Sequence, residues 1–288
     1  MTQPHLFSFG HGYSAQALAR RLLPQGWAIT GTTRSADRAQ EFDSAGVTSL
    51  VLGQDPILPQ LSQATHLLVS AAPGPDGDPM LHHYREALVE AAPHLTWVGY
   101  LSTTGVYGDH GGNWVTEETA LTPATKRGIA RVEAEAAWQS FARDLGLNLS
   151  IFRLAGIYGP GRGPFAKVRS GKARRIIKPG QIFSRIHVED IAQVVEAAIH
   201  RPELSRIYNV CDDLPVPPQD VIGYAAELLG LPLPPEEDFE TADMTPMARS
   251  FYAESKKVSN EKMKRDLDVK LIYPDYKTGL KALLALDQ

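Results

Sequence analysis

The chain has 288 residues, 43% of them hydrophobic and 22% charged, with a formal net charge of −4. This is ordinary globular composition with length for a large core, and the acidic balance excludes a basic surface for nucleic acid or an anionic membrane. No apolar run reaches the length of a membrane span, and "MTQPHLFSFG" lacks a signal-peptide pattern, so the expected location is the cytoplasm.

Taken in chain order, "HLFSFG" reads as a strand and is followed by a helix from about Tyr13 to Leu23. "WAITGTT" is the next strand, with a helix from about Ala36 to Ala45. "VTSLVLG" and "THLLVSAA" follow as strands, then a helix over about Pro79 to Ala91 and the strand "LTWVGYLST". A helix starts after Pro123, and "LNLSIFRLAG" closes the series. Strands alternating with helices imply an α/β fold, a doubly wound parallel sheet with helices on both faces.

The second half is less regular. A helix near Val188 to His200 precedes the short strand "RIYNV", and "GLPLPPEEDFE" reads as a loop between helices. The division expected is a Rossmann domain over 1–158, joined by a returning strand and helix from about 186–212. A smaller substrate lobe takes most of 159–288. Cys211 has no partner for an internal disulfide and reads as a small buried side chain. The nine histidines show no metal spacing, and no metal site is expected.

Chemistry first becomes legible in "FSFGHGYSAQALARRL". Gly10, Gly12 and Ala15 give G-x-G-x-x-A between a strand and a helix, with Tyr13 and Ser14 inside the motif. The first glycine permits a tight turn, the second lets a pyrophosphate approach the backbone, and the alanine keeps the helix close to the sheet. A dinucleotide is therefore the expected cofactor. NAD-binding versions end the second strand with an acidic residue. Here the sequence is "GTTRSADR", offering Thr33, Arg34 and Ser35, with no carboxylate before Asp37. Arg34 would welcome a 2′-phosphate, which favours NADP, with NAD as the alternative. Arg34 can also be read as an exposed helix-start residue.

The chain resembles the extended and atypical short-chain dehydrogenase/reductases of the NAD(P)-dependent epimerase/dehydratase family, and within it a bacterial YeeZ-like subgroup. "LSTTGVYGD", "RLAGIYGPGRGP", "SRIHVEDIAQVV" and "IYNVCDDLPV" carry the resemblance, in the family's order. The family's catalytic set is a Ser/Thr, a Tyr and a Lys, and Thr103 matches the first by its distance from Tyr107. Pro123, Gly128 and Glu135 fix the register of the remaining pair, which places Arg127 at the tyrosine and Arg131 at the lysine. No tyrosine lies between Tyr107 and Tyr158, so no shift of register restores the motif. A guanidinium cannot relay a proton near neutrality. Arg131 can still serve the ribose, and Arg127 can stabilise an anion. The two share one helical face, where their like charge costs about 0.2–0.5 kcal/mol. A solvated stripe with Glu135 neutralising Arg131 is the alternative.

Two functional readings follow. One is an oxidoreductase or epimerase-like enzyme on a small polar substrate with a displaced proton donor, for which Lys126, Tyr107, Tyr158 and His187 are candidates. The other is an NADP-binding sensor or scaffold without turnover. The resemblance further implies that Ser70, Ala71 and Ala72 pass the cofactor ribose, that Asp55 meets the adenine amine or else forms a turn before Pro56, and that Tyr158 lies near the nicotinamide. It also implies that Arg153 and Arg185 reach the substrate lobe or form surface ion pairs. The partners expected are a small-molecule ligand and, by analogy with the family, a second copy of the chain through the helices after the fifth strand.

Overall fold

The computed structural model of the chain describes residues 3–287. Seven strands form one parallel sheet: β1 His5–Phe9, β2 Ala28–Thr33, β3 Thr48–Val51, β4 His66–Val69, β5 Trp97–Thr103, β6 Leu149–Leu154 and β7 Ile207–Val210. Their spatial order is β7-β6-β5-β4-β1-β2-β3. Pairing of Leu6 with both Ile29 and His66 puts β1 between β2 and β4, so the order reverses there. Such a reversal opens a crevice at the carboxyl ends of the strands. The glycine turn and Ser70–Ala72 stand at that crevice.

The strands are largely buried and rich in apolar residues, with buried polar side chains such as Ser8, Thr30 and Asn209 among them. One core lies under the helices Tyr13–Leu22 and Val188–Ile199 and includes Leu18, Leu22, Val194 and Val195. The other, with Leu88, Trp138 and Phe141, lies under Arg85–Ala91 and Lys126–Leu145. A third cluster, containing Tyr158, Phe165, Ala225, Tyr276 and Leu280, unites the C-terminal helices Pro218–Leu228 and Tyr276–Leu286.

Two sequence expectations are corrected. The helix read over Pro79 to Ala91 is two, Pro79–His83 and Arg85–Ala91, because Tyr84 leaves helical geometry (φ −129°, ψ 22°). Its ring packs edge-on against Phe9, with centroids 5.6 Å apart. The expected loop "GLPLPPEEDFE" contains a strand, Glu236–Asp238, paired in parallel with Arg175–Ile177. Its three acidic residues carry no strand signal; the partner supplies the ladder.

Candidate functional site

The glycine turn is built by backbone constraint. Gly10 has φ +79°, and a Cβ there would lie 2.8 Å from the backbone nitrogen of Ala71. Only glycine lets β1 and β4 end this close together. The Ser70 hydroxyl donates to the Gly10 carbonyl, and Gly10 N–H donates to the Thr32 hydroxyl at 2.8 Å. Gly12 then caps the Tyr13–Leu22 helix without any side-chain bond, so the first N–H groups of that helix face the groove.

The groove is a cavity of about 700 Å³ lined by Gly10, Gly12, Tyr13, Thr33, Arg34 and Ala71 among others. Its donors fit a dinucleotide: an uncapped helix N-terminus for the pyrophosphate and two guanidinium groups, Arg34 and Arg38, beyond β2. Asp76 is the one carboxylate among its described lining residues.

A second cavity, also about 700 Å³, adjoins the groove, the two sharing Ala72 and Arg162 as wall residues. Thr103, Arg127 and Arg131 line it together, as the register of Pro123, Gly128 and Glu135 predicts. Thr125 caps the Lys126–Leu145 helix by accepting from Gly128 N–H at 3.0 Å, which starts the helix one residue before Arg127. Arg127 is exposed, with its guanidinium 5.2 Å from the Phe251 ring centre. Arg131 donates to the Leu101 carbonyl and, at 3.3 Å, to the Tyr100 hydroxyl. Thr103 accepts from Gly105 N–H at 3.2 Å.

The remaining sequence candidates separate. Ala15 is buried under the sheet, and Ser14 is half-buried outside the groove lining. Ser35 caps the Ala36–Ser44 helix, and Thr33 accepts from Ser35 N–H at 3.2 Å. Asp55 does not line the groove: its carboxylate accepts from Val51 N–H at 2.7 Å, the turn-forming role. Tyr158 lines the second cavity rather than the groove, and its hydroxyl donates to the Asp275 carbonyl at 3.4 Å.

None of the candidate proton donors is free in the site. The Tyr107 hydroxyl donates to Asn209 at 2.7 Å and accepts from Arg153 at 2.9 Å; burial pushes it up to about 12. Burial likewise raises the Tyr158 phenol. His187 Nδ1 accepts from Glu189 N–H at the start of the Val188–Ile199 helix, and burial lowers the ring to about 4. Lys126 is exposed outside both cavities. Arg153 does not reach the substrate lobe. It forms an ion pair with Glu135 at 2.8 Å, both side chains almost wholly buried. Arg185 does line the second cavity, donating to the carbonyls of Phe183 and Val216.

Sequence reading missed several wall residues. The His11 ring is buried beside Phe42, within 3.0 Å of the Ser8 hydroxyl, and is lowered to about 4 by burial and then by Arg38. A Cβ on Gly31 would come within 2.7 Å of that ring, so the glycine inside "AITGTT" was the available signal. Lys256 and Glu254 line the second cavity, their side chains 2.6 Å apart, and Lys256 also donates to the Gly108 carbonyl at 2.7 Å. No local pattern announces this pair, because their place on the wall is set by contacts with the distant Gly108 loop.

The sequence model of the NAD dependent epimerase/dehydratase family matches residues 81–211. The chain is 30% identical over 239 residues to Protein YeeZ of Escherichia coli (strain K12), covering 78% of this chain and 84% of that one. A functionally unknown conserved protein from Silicibacter pomeroyi DSS is 56% identical, with TM-score 0.93 over 98% of this chain and 99% of that one. The UDP-glucuronic acid 4-epimerase of Bacillus cereus, solved with UDP-glucuronic acid and NAD, shares the fold: TM-score 0.79 at 15% identity, over 99% of this chain and 100% of that one. Among the described residues no helix is long and apolar enough to cross a membrane. Likeness to YeeZ sustained over most of both sequences, on a sheet of this order, means that the chain belongs to the NAD-dependent epimerase/dehydratase family.

Proposed function

We propose that the protein is an NADP-binding oxidoreductase or epimerase-like enzyme acting on a small polar substrate. The observation that carries this reading is that the glycine-turn groove and the cavity lined by Thr103, Arg127 and Arg131 adjoin, with Ala72 and Arg162 in the wall of both. A bound nicotinamide would supply or accept hydride. Arg34 and Arg38, which line the groove beyond β2, would hold the 2′-phosphate. Thr103 and the two arginines bind and polarise a substrate oxygen, stabilising negative charge where a phenol would otherwise donate. Lys256, paired with Glu254 at 2.6 Å and bonded to the Gly108 carbonyl, borders the same cavity.

Consumption of NADPH across a library of small carbonyl compounds tests the reading, with NADH in parallel. The competing reading, binding without turnover, is favoured by one observation: the phenols of Tyr107 and Tyr158 are both bonded within the protein. Tight NADPH binding with no consumption across the library would select it.

A further inference from the structure

The second cavity is short of negative charge. Arg127, Arg131, Arg162 and Arg185 all line it, and none makes an ion pair among the described residues. Its one carboxylate, Glu254, is engaged by Lys256 at 2.6 Å. Elsewhere buried guanidinium charge is matched, as Arg153 is by Glu135. Arg185 is the clearest case. It is half-buried on the strand Arg185–His187, and only its Nη1 is used, donating to Phe183 and Val216 at 3.1 and 3.3 Å. Nε and Nη2 keep the planar fork that matches a carboxylate or phosphate. Asp212 lies nearby but makes no ion pair with Arg185 among the described residues; its carboxylate accepts from Leu214 N–H at 3.4 Å. A partly buried cation without a counter-charge is costly to fold, and a ligand anion removes that cost.

Arg127 and Arg131 come from a different element, the first turns of the Lys126–Leu145 helix beside Thr103. The cationic side chains therefore reach the cavity from two elements, this helix and the strand Arg185–His187. We propose that this cavity takes a small molecule bearing two separate anionic groups, carboxylates or phosphates, one held by Arg127 beside Thr103 and the other by Arg185. The inference rests on the reading of this cavity as the substrate pocket and names the class of molecule that fills it. Arg162, between the two cavities with its guanidinium 4.4 Å from the Tyr13 ring centre, adds positive charge where ligand and cofactor meet.

Calorimetry on the full chain, with and without NADPH, tests this with four probes. Glutarate and 3-phosphoglycerate carry two anionic groups; butyrate and inorganic phosphate carry one. At least one two-anion probe should bind roughly tenfold to a hundredfold more tightly than either one-anion probe, the range for a charged hydrogen-bonded contact. Arg127→Met and Arg185→Gln should each reduce it to the one-anion level, and Arg185→Lys should restore part of the loss. Arg127 is exposed, so its variant reports even if replacement of Arg185 disturbs folding. Equal affinity for one- and two-anion probes, or two-anion binding untouched by Arg127→Met, would overturn the proposal. Two-anion binding without NADPH consumption on any substrate would remove the enzymatic reading and leave this one standing. Turnover of NADPH with no two-anion preference would do the reverse. The choice between glutarate and 3-phosphoglycerate identifies the anion.

Discussion

Glu135 pairs with Arg153, not with Arg131. The carboxylate is 2.8 Å from the Arg153 guanidinium and also accepts from the Ser102 hydroxyl at 2.6 Å, beneath the cavity floor. On a bare helix Glu135 lies one turn from Arg131 and would neutralise it. In the fold it turns inward to β6, and Arg131 is left with only the Leu101 carbonyl and the Tyr100 hydroxyl. The charge of the site thus depends on a structural ion pair that does not belong to it.

That pair is buried, so removing one partner strands the other. Glu135→Gln or Arg153→Met should each lower stability by about 3–5 kcal/mol. Urea unfolding measures it; a loss below about 1 kcal/mol would mean that the pair is not the anchor described.

Gly10→Ala forces a side chain into the left-handed region at φ +79°, against the Ala71 backbone. Strain of this kind costs about 1–3 kcal/mol, and the turn proposed to receive the pyrophosphate shifts. Lower melting temperature together with lost NADPH binding is expected; wild-type cofactor affinity in this variant would remove the glycine turn from the cofactor site.

Arg34→Ala and Arg38→Ala should each weaken NADPH far more than NADH, because only the former has a 2′-phosphate. Titration of both cofactors into both variants reads this directly. Equal losses, or tighter NADH binding by the parent protein, would argue for NAD.

Arg131→Met should weaken NADPH by about 1.5–3 kcal/mol, the range for hydrogen bonds to a charged group, whereas Arg127→Met should leave NADPH binding intact. Both can be measured by fluorescence quenching. Unchanged cofactor affinity in the Arg131 variant would place its guanidinium in the service of Leu101 and Tyr100 alone.

The histidines set a pH dependence. His11, His66 and His187 are each lowered to about 4, chiefly by burial, from an ordinary value of 6.5. The unfolded chain therefore binds protons that the folded chain refuses. Their contribution to stability is complete above about pH 6.5 and is lost as pH falls through 4, at up to about 1.4 kcal/mol per pH unit for each ring. Asp212, raised to about 8, acts in the opposite sense: its contribution is present at low pH and lost as pH rises through 8. The three rings lower the melting temperature from pH 6.5 to 4, and the burial-raised carboxyls Asp78, Glu117, Asp190 and Asp212 oppose that fall. His187→Gln should reduce that slope, and Asp212→Asn should remove an opposing loss of stability that runs from about pH 4 to 8.

The sequence by itself determined the elements whose signals are local. Apolar-rich runs alternating with helical patterns place the strands of the sheet, and the readings "HLFSFG" and "WAITGTT" come within one residue of β1 and β2, because buried parallel strands are rich in apolar residues. Gly10 and Gly12 declared the groove, since their requirement is backbone conformation. Pro123, Gly128 and Glu135 put Arg127 and Arg131 on the cavity, since helical register is fixed by spacing. Tertiary structure decided everything that depends on a partner far along the chain. Asp55 turned back to Val51, Tyr158 toward Asp275, and Arg153 toward Glu135. Arg38, Arg162, Lys256 and Arg185 became cavity walls through contacts between distant segments. A polar side chain's role is set by which donor or acceptor meets it after folding, and spacing along one element cannot specify a group arriving from another.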